Sequence, residues 1–457
     1  MQFIENKTFN EIKVGDSAEL TRTLRQQDFV WLAPLPGDSA PGVDAAPLSP
    51  VACHAWGAAL LAAVLDTELP GPGAVLLGQT LKFRHAAALG DAVTARVKVR
   101  DKIAGESRIV LDCEGVGASG EVLFTGQADV TAPAQKIRRP RAALAQTHIH
   151  ERGEHFRALT AAARKNPPIR TAIIHPCDDL SLAGAMEAGK AGLIIPVLVG
   201  PTAKIRKTAA AAGIDLGGVE LIDAPHSHAA AARAVALARD CQVEALMKGS
   251  LHTDEVMAAV VDATTGLRTE RRISHVFVLD VPNYPKPLLV TDAAVNIDPD
   301  LDEKRDIVQN AIDLAQAIGI GTPKVAVLCA VETVYPKIKS TLDAAAICKM
   351  ADRGQITGGL VDGPLAFDNA ISKAAAQAKN IVSPVAGDAD ILVVPDIDAG
   401  NMVAKQLVYL AGADAAGIVL GARVPIMLTS RADNVLARTT SCALAQLFAH
   451  RRPGAGL

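Results

Sequence analysis

Aromatic side chains are scarce: Phe, Tyr and Trp together make up 3% of the 457 residues. A surface that stacks on nucleobases needs more of them. The formal charge of −3 also removes the electrostatic footprint of a nucleic-acid binder. The cysteines Cys53, Cys113, Cys177, Cys241, Cys329, Cys348 and Cys442 are odd in number and scattered, and no CxxC pair occurs. That pattern predicts reduced thiols of a cytoplasmic protein, not a disulfide framework or a zinc site. No uninterrupted apolar run reaches the length of about 18 residues that a membrane span needs. The opening "MQFIENKTFNEIKVGD" lacks the apolar segment of a signal peptide. There is no Walker A sequence and no GxGxxG after a strand, so neither a P-loop nor a standard dinucleotide site is supported.

What is present is a globular composition, 49% hydrophobic, in a chain long enough for two or three domains. Residues 1–132 form the first. Val93, Ala95, Val97 and Val99 alternate with Thr94, Arg96 and Lys98. Ile109, Leu111 and Cys113 repeat that period, and so do Val122, Phe124 and Gly126. Glycine-containing turns separate these runs, which predicts an antiparallel meander. Before it, the Ala/Leu-rich stretch at 53–69 predicts one long helix, and together they make an α+β domain. A basic, proline-flanked segment at 133–156 reads as the linker.

Residues 157–457 change period. "RTAIIHP", "LIIPVLVG", "VEALMKG", "VAVLCAV", "ADILVVPD", "AAGIVLG" and "VPIMLT" are short apolar runs separated by helical stretches. They predict parallel strands covered on both faces, in two α/β lobes with a cleft between them. Ligands in such sheets bind at the carboxyl ends of the strands. Polar residues gather at those ends: Thr253 after "ALMKG", Asp292 after "LLVT", Asp362 and Gly363 in "LVDGPLAFDNA", and Gly400 and Asn401 in "PDIDAGNM". The last is Ser430-Arg431-Ala432-Asp433, between an apolar run and a helical pattern. A helix N-terminus offers free N–H groups and partial positive charge. A hydroxyl and a guanidinium beside it would complete an anion site, and Asp433 would either cap the helix or act as a base.

In that order, "CAVETVYPKIKSTLDA", "GQITGGLVDGPLAFDNAIS", "PDIDAGNMVAKQL" and "VPIMLTSRADN" resemble the phosphate acetyltransferase/phosphate butyryltransferase family over about 168–450. The resemblance implies acyl transfer, acetyl first, between coenzyme A and inorganic phosphate. It also implies a two-lobed fold similar to isocitrate dehydrogenase, and a dimer or larger homo-oligomer. No metal or cofactor is implied beyond coenzyme A as substrate, and the partners are acyl-CoA/CoA and phosphate/acyl phosphate. Ser430 and Arg431 match the phosphate-binding pair. Asp433 is the nearest candidate base, since the position seven residues beyond the serine, where some relatives carry a catalytic aspartate, is Ala437. Arg268 in "TTGLRTERRISH" resembles a second anion-binding arginine.

The first part, over about 9–132, resembles a MaoC-type hydratase domain with a hotdog fold. The combination resembles fused enoyl-CoA hydratase/phosphate acetyltransferase proteins. Active relatives of the first part carry a D-x-N-P-x-H pattern. Here "GDSAPGVDA" keeps Asp38 and Pro41, but Ala40 and Val43 stand at the asparagine and histidine positions. Valine cannot exchange a proton or orient water, which predicts a degenerate hydratase site.

Overall fold

The computed structural model describes residues 3–25, 28, 50–140, 153–428 and 435–451. The chain forms two compact units, residues 1–147 and 148–457. Asp38 and Val43 lie outside the described residues.

In chain order the strands of the first unit are β1 (Phe3–Glu5), β2 (Ser17–Thr23), β3 (Val75–Phe83), β4 (Ala92–Ile103), β5 (Arg108–Gly117), β6 (Val122–Thr131) and β7 (Arg138–Pro140). Five of them form one antiparallel sheet in the order β2-β4-β5-β6-β3, while β1 pairs with β7. The expected alternation holds in the first two runs, where Val93, Ala95, Val97, Val99, Ile109, Leu111 and Cys113 are all buried; in the third, Phe124 is buried but Val122 and Gly126 are only half-buried and Leu123 is buried beside them. The helix Pro50–Thr67 supplies Trp56, Leu60, Leu61, Val64 and Leu65 to the same core. Gly57 and Gly115 leave room for Phe124, because a Cβ on either would press on its ring. One long helix held against a five-stranded antiparallel sheet is the hotdog-like arrangement anticipated from the pattern. By length and composition this helix is also apolar enough to cross a membrane, but its apolar side faces the sheet.

The second unit contains β8 (Ile169–Ile174), β9 (Ile194–Gly200), β10 (Glu220–Asp223), β11 (Ala245–Lys248), β12 (Ser274–Asp280), β13 (Leu288–Thr291), β14 (Lys324–Leu328), β15 (Leu360–Leu365), β16 (Ile391–Val393), β17 (Asp414–Leu420) and β18 (Ile426–Met427). They make a single eleven-stranded sheet, ordered β10-β9-β8-β11-β18-β17-β12-β13-β16-β14-β15. The expectation of parallel strands holds within two blocks. The first runs from β10 to β18, and the second comprises β13, β16, β14 and β15. Between the blocks the pairing is antiparallel: β18 with β17, β17 with β12, and β12 with β13. The reason is connection length. Residues 281–287 and 421–425 are too few for a crossover, which needs about a dozen residues.

One face of the sheet carries a continuous core that spans both blocks. On the other face the core is split in two. Ala172, Val197, Leu246 and Ile426 pack with the helix Ser227–Arg239 in one cluster, and Leu279, Val290, Ala326 and Leu392 form the second. The two lobes expected from the sequence are therefore two blocks of one sheet. The helix Val435–Arg451 is buried along most of its length, and its Arg438 donates to the Leu180 carbonyl at 3.0 Å.

The helix Glu154–Ala163 is tied to the centre of this sheet. The His155 ring Nδ1 lies 2.7 Å from Asp280 Oδ1, and the His155 backbone N–H donates to Asp280 Oδ2. The hydrogen bond to Asp280, at the end of β12, raises the imidazole above its usual value of 6.5, against the opposing effect of burial. A raised folded-state value stabilises the fold fully below 6.5, and the stabilisation is lost as pH rises through the folded value. His155→Ala should therefore reduce unfolding free energy more at about pH 5.5 than at about pH 9, as read by urea denaturation at both. Equal losses at the two values would show that the ion pair contributes nothing.

Candidate active site

Two connections build a cleft on the second unit. After β11 the chain forms the helix Thr253–Val260 and returns through 261–273 to β12. After β13 it makes a tight turn at 292–296 and then the helix Leu301–Ala317. Between them lies a cleft of about 470 Å³, lined by Met257, Arg268, Arg272, Val295, Asn296 and Glu303 among others. It sits at the carboxyl end of the second parallel block, as the strand-end rule requires.

The turn is held by one buried carboxylate. Asp292 is 3% exposed. Its oxygens accept from the backbone N–H groups of His275 (3.2 Å), Ala294 (2.9 Å), Val295 (3.0 Å) and Asn296 (3.2 Å), and from Asn296 Nδ2 (2.6 Å). Such saturation leaves no lone pair for a substrate, so Asp292 shapes the cleft rather than facing it. Gly400 and Asn401 belong to the same construction. A Cβ at Gly400 would lie 2.7 Å from the Asp292 carbonyl oxygen and 2.9 Å from Ala293 Cα. Asn401 Nδ2 donates to the Ala293 carbonyl at 3.3 Å. The helix Ile397–Tyr409 thus presses directly on the turn.

The arginines of the cleft differ in what they hold. Arg271 pairs with Asp313, and Arg305 with Asp306 and Asp302. Arg272 donates through Nε to Asn296 Oδ1 at 2.7 Å and pairs through Nη1 with Glu303 at 2.9 Å. Arg268 is exposed, and among the described residues its guanidinium has no hydrogen bond or ion pair. Its backbone bridges to Ala422, which leads toward β18.

Thr253 opens the helix whose far end lines the cleft, and it is itself exposed. Asp362 and Gly363 lie elsewhere, in the edge strand β15. There Asp362 Oδ1 accepts the Gly363 N–H at 2.9 Å, and Gly363 fits tightly against Val327 of β14. The structure does not bring this pair to the cleft. Ser430, Arg431 and Asp433 lie outside the described residues, in the segment between β18 and the helix Val435–Arg451. His275 and Arg272 were not singled out from the sequence. Burial holds the His275 imidazole down to about 4, against the pull of Asp292, so it stays neutral at physiological pH. Its ring meets Phe277 edge-on at 4.4 Å.

Residues 227–445 match the family model described as phosphate acetyl/butaryl transferase. A phosphate acetyltransferase of Rhizobium meliloti is 65% identical over 297 residues, which is 65% of this chain and 94% of that protein. A phosphate butyryltransferase of Clostridium acetobutylicum is 41% identical over 294 residues, covering 64% of this chain and 98% of that one. Among solved structures, a branched-chain phosphotransacylase from Enterococcus faecalis V583 is 30% identical with a TM-score of 0.55, over 62% of this chain and 99% of that one. The chain belongs to the phosphate acetyl/butyryl transferase family.

The support of the turn by Gly400 is open to a direct test. Gly400→Ala should force the helix away from the Asp292–Ala293 backbone and cost about 1–3 kcal/mol of stability, read as a fall in denaturation midpoint. An unchanged midpoint would mean that the helix moves freely and does not brace the cleft.

Proposed function

We propose that the second unit transfers an acyl group between coenzyme A and inorganic phosphate, giving acyl phosphate and free CoA. The observation that carries this reading is the Arg268 guanidinium, without a partner among the described residues, in a cleft at the strand ends of a chain of this family. Acetyl is the proposed acyl group, since the acetyl-named relative is closer in identity than the butyryl-named one. The fold reading extends to the isocitrate-dehydrogenase-like two-lobe type. Coenzyme A is a substrate, and the reading names no cofactor. A cytoplasmic homo-oligomer is proposed with it. Met402, Tyr409 and Leu410, at 58%, 76% and 84% exposure, give the helix Ile397–Tyr409 and its end an apolar surface suited to a second copy.

In the forward direction a phosphate oxygen attacks the thioester carbon, the C–S bond breaks, and CoA leaves as thiolate to be protonated. In reverse the thiolate is the nucleophile and its proton must go to a base, for which Asp433 is the candidate. Ser430 and Arg431 are the proposed phosphate grip, the guanidinium holding two oxygens at once. Ser430 and backbone N–H groups would also donate to the developing carbonyl oxyanion. Arg268 is the second anion contact. In this scheme no covalent enzyme intermediate forms, and the residues act by positioning and charge.

The first unit is proposed to bind or assemble rather than to hydrate. Its two histidines do not replace the one missing at Val43 in this reading. His54 stacks on Phe83 at 4.4 Å, beside a pocket of about 10 Å³, and His85 is exposed. Purified full-length protein should leave crotonyl-CoA unchanged above background. Hydration that is abolished by Asp38→Ala would overturn this.

The transferase reading is tested by phosphate-dependent thiol release from acyl-CoA over a series of acyl chain lengths, with Arg431→Ala alongside. Arg431→Ala should cost about 2–4 kcal/mol in kcat/KM, and Arg431→Lys should recover little of it. Wild-type turnover and phosphate KM in Arg431→Ala would remove the anion site.

A further inference from the structure

The carboxyl ends of the first parallel block are a second place where the strand-end rule puts a ligand. β8, β11 and β18 are parallel neighbours, so all three finish at one edge of the sheet. His175 stands there, one residue past β8, and is half-buried. Its backbone is left-handed, with φ +53°, a conformation that residues other than glycine seldom adopt. The neighbouring strands hold it in that state. Its N–H donates to the Val199 carbonyl at 2.7 Å, and its own carbonyl accepts from the N–H groups of Cys177 and Ser250 at 2.8 and 2.9 Å. Gly249 permits the approach, because a Cβ there would lie 2.5 Å from the Ile174 carbonyl oxygen. Residues held in sparsely populated backbone states gather at functional sites.

The imidazole is fixed as well. Its Nδ1 lies 3.0 Å from the Ser250 carbonyl oxygen. A carbonyl only accepts, so Nδ1 carries the proton and Nε2 of the neutral ring keeps its lone pair. Among the described residues Nε2 has no hydrogen bond or ion pair. The support continues behind the ring. The Ser250 hydroxyl donates to the Asp178 carboxylate, which also accepts the Ser181 N–H at 2.7 Å and interacts with the charge of Arg438. Lys248, whose Nζ donates to the Leu251 carbonyl at 3.2 Å, brings positive charge to the same turn. An oriented acceptor nitrogen with a cation nearby is what the deprotonation of a thiol requires.

We propose that His175 Nε2, in place of Asp433, is the general base for the thiol of coenzyme A, with Ser250 and Asp178 as the residues that position it. The proposal rests on the transferase reading, which needs such a base. β18 runs out at the same edge, and Ser430 follows it closely in sequence. The position where some relatives carry an aspartate is Ala437. In the direction of thioester synthesis the S–H proton moves to Nε2 and sulfur bonds to the acyl carbon of acyl phosphate. The C–O bond to phosphate breaks, and its electron pair leaves on phosphate. Nε2 then yields the proton to the released phosphate or to solvent. In the opposite direction the protonated ring returns a proton to the departing thiolate.

The test uses full-length protein. His175→Asn keeps a donor for the Ser250 carbonyl and tolerates the left-handed backbone, while it removes Nε2. Its denaturation midpoint should stay at the wild-type value. Its kcat for making acetyl-CoA from acetyl phosphate should fall roughly 100-fold or more, with the KM for CoA within about threefold. Added imidazole should restore part of the lost rate. Asp178→Asn keeps the helix cap and should lower kcat by less. A kcat near wild type in His175→Asn, as expected if Asp433 is the base, would overturn the proposal. So would a lost rate that imidazole does not restore. Nitrogen NMR of the histidines reads the site without turnover, with His175→Asn assigning the signal. Nε2 should be unprotonated in the free protein and should shift when CoA is added. A protonated Nε2, or one that CoA leaves unmoved, overturns the proposal. Wild type whose Nε2 responds to CoA but that never exchanges acyl groups with phosphate overturns only the transferase reading.

Discussion

The carboxylate of Asp292 sits at the end of β13, where the second parallel block joins the antiparallel middle of the sheet. It gathers five N–H groups from the turn after β13 and from β12. A buried carboxylate without donors would cost several kcal/mol, so the turn must close around it as drawn. The consequences spread outward from there. Asn296 is oriented by the same carboxylate, and it orients Arg272. Gly400 brings the helix Ile397–Tyr409 against the backbone of the turn, with Asn401 bonded to its Ala293 carbonyl. The cleft wall is therefore set by one interior group that does not itself face ligand.

The antiparallel middle of the sheet decides at which edge each strand ends. Had every strand run parallel, all carboxyl ends would lie along one edge. Reversal through β17 and β12 sends the two blocks in opposite directions. The helix after β11 belongs to the first block, and the turn after β13 belongs to the second. The connection 261–273, which carries Arg268, Arg271 and Arg272, leads from the first block into β12 of the antiparallel middle.

Much of this was legible from local pattern. Val93 to Val99 showed a period of two that packing kept, because a half-buried strand has no other way to place its apolar side chains. The direction of β12 was not legible, since an apolar run carries no mark of polarity and only the short connections around it do. Asp292 looked like a site carboxylate because strand-end acids read alike whether they face ligand or their own backbone. Arg268 was legible as a motif, but Arg272 was not. The sequence "RTERRIS" reads as solvated charge, and the importance of Arg272 appears only when Asn296 and Glu303 fold onto it. Asp362 and Gly363 shared the composition of a site but not its location.

The most direct measurement is a crystal structure of the full chain with CoA and inorganic phosphate bound. Inorganic phosphate is expected within hydrogen-bonding distance of Ser430 and Arg431, with the CoA thiol beside it. CoA bound with its thiol remote from a phosphate held by Ser430 and Arg431 would contradict it.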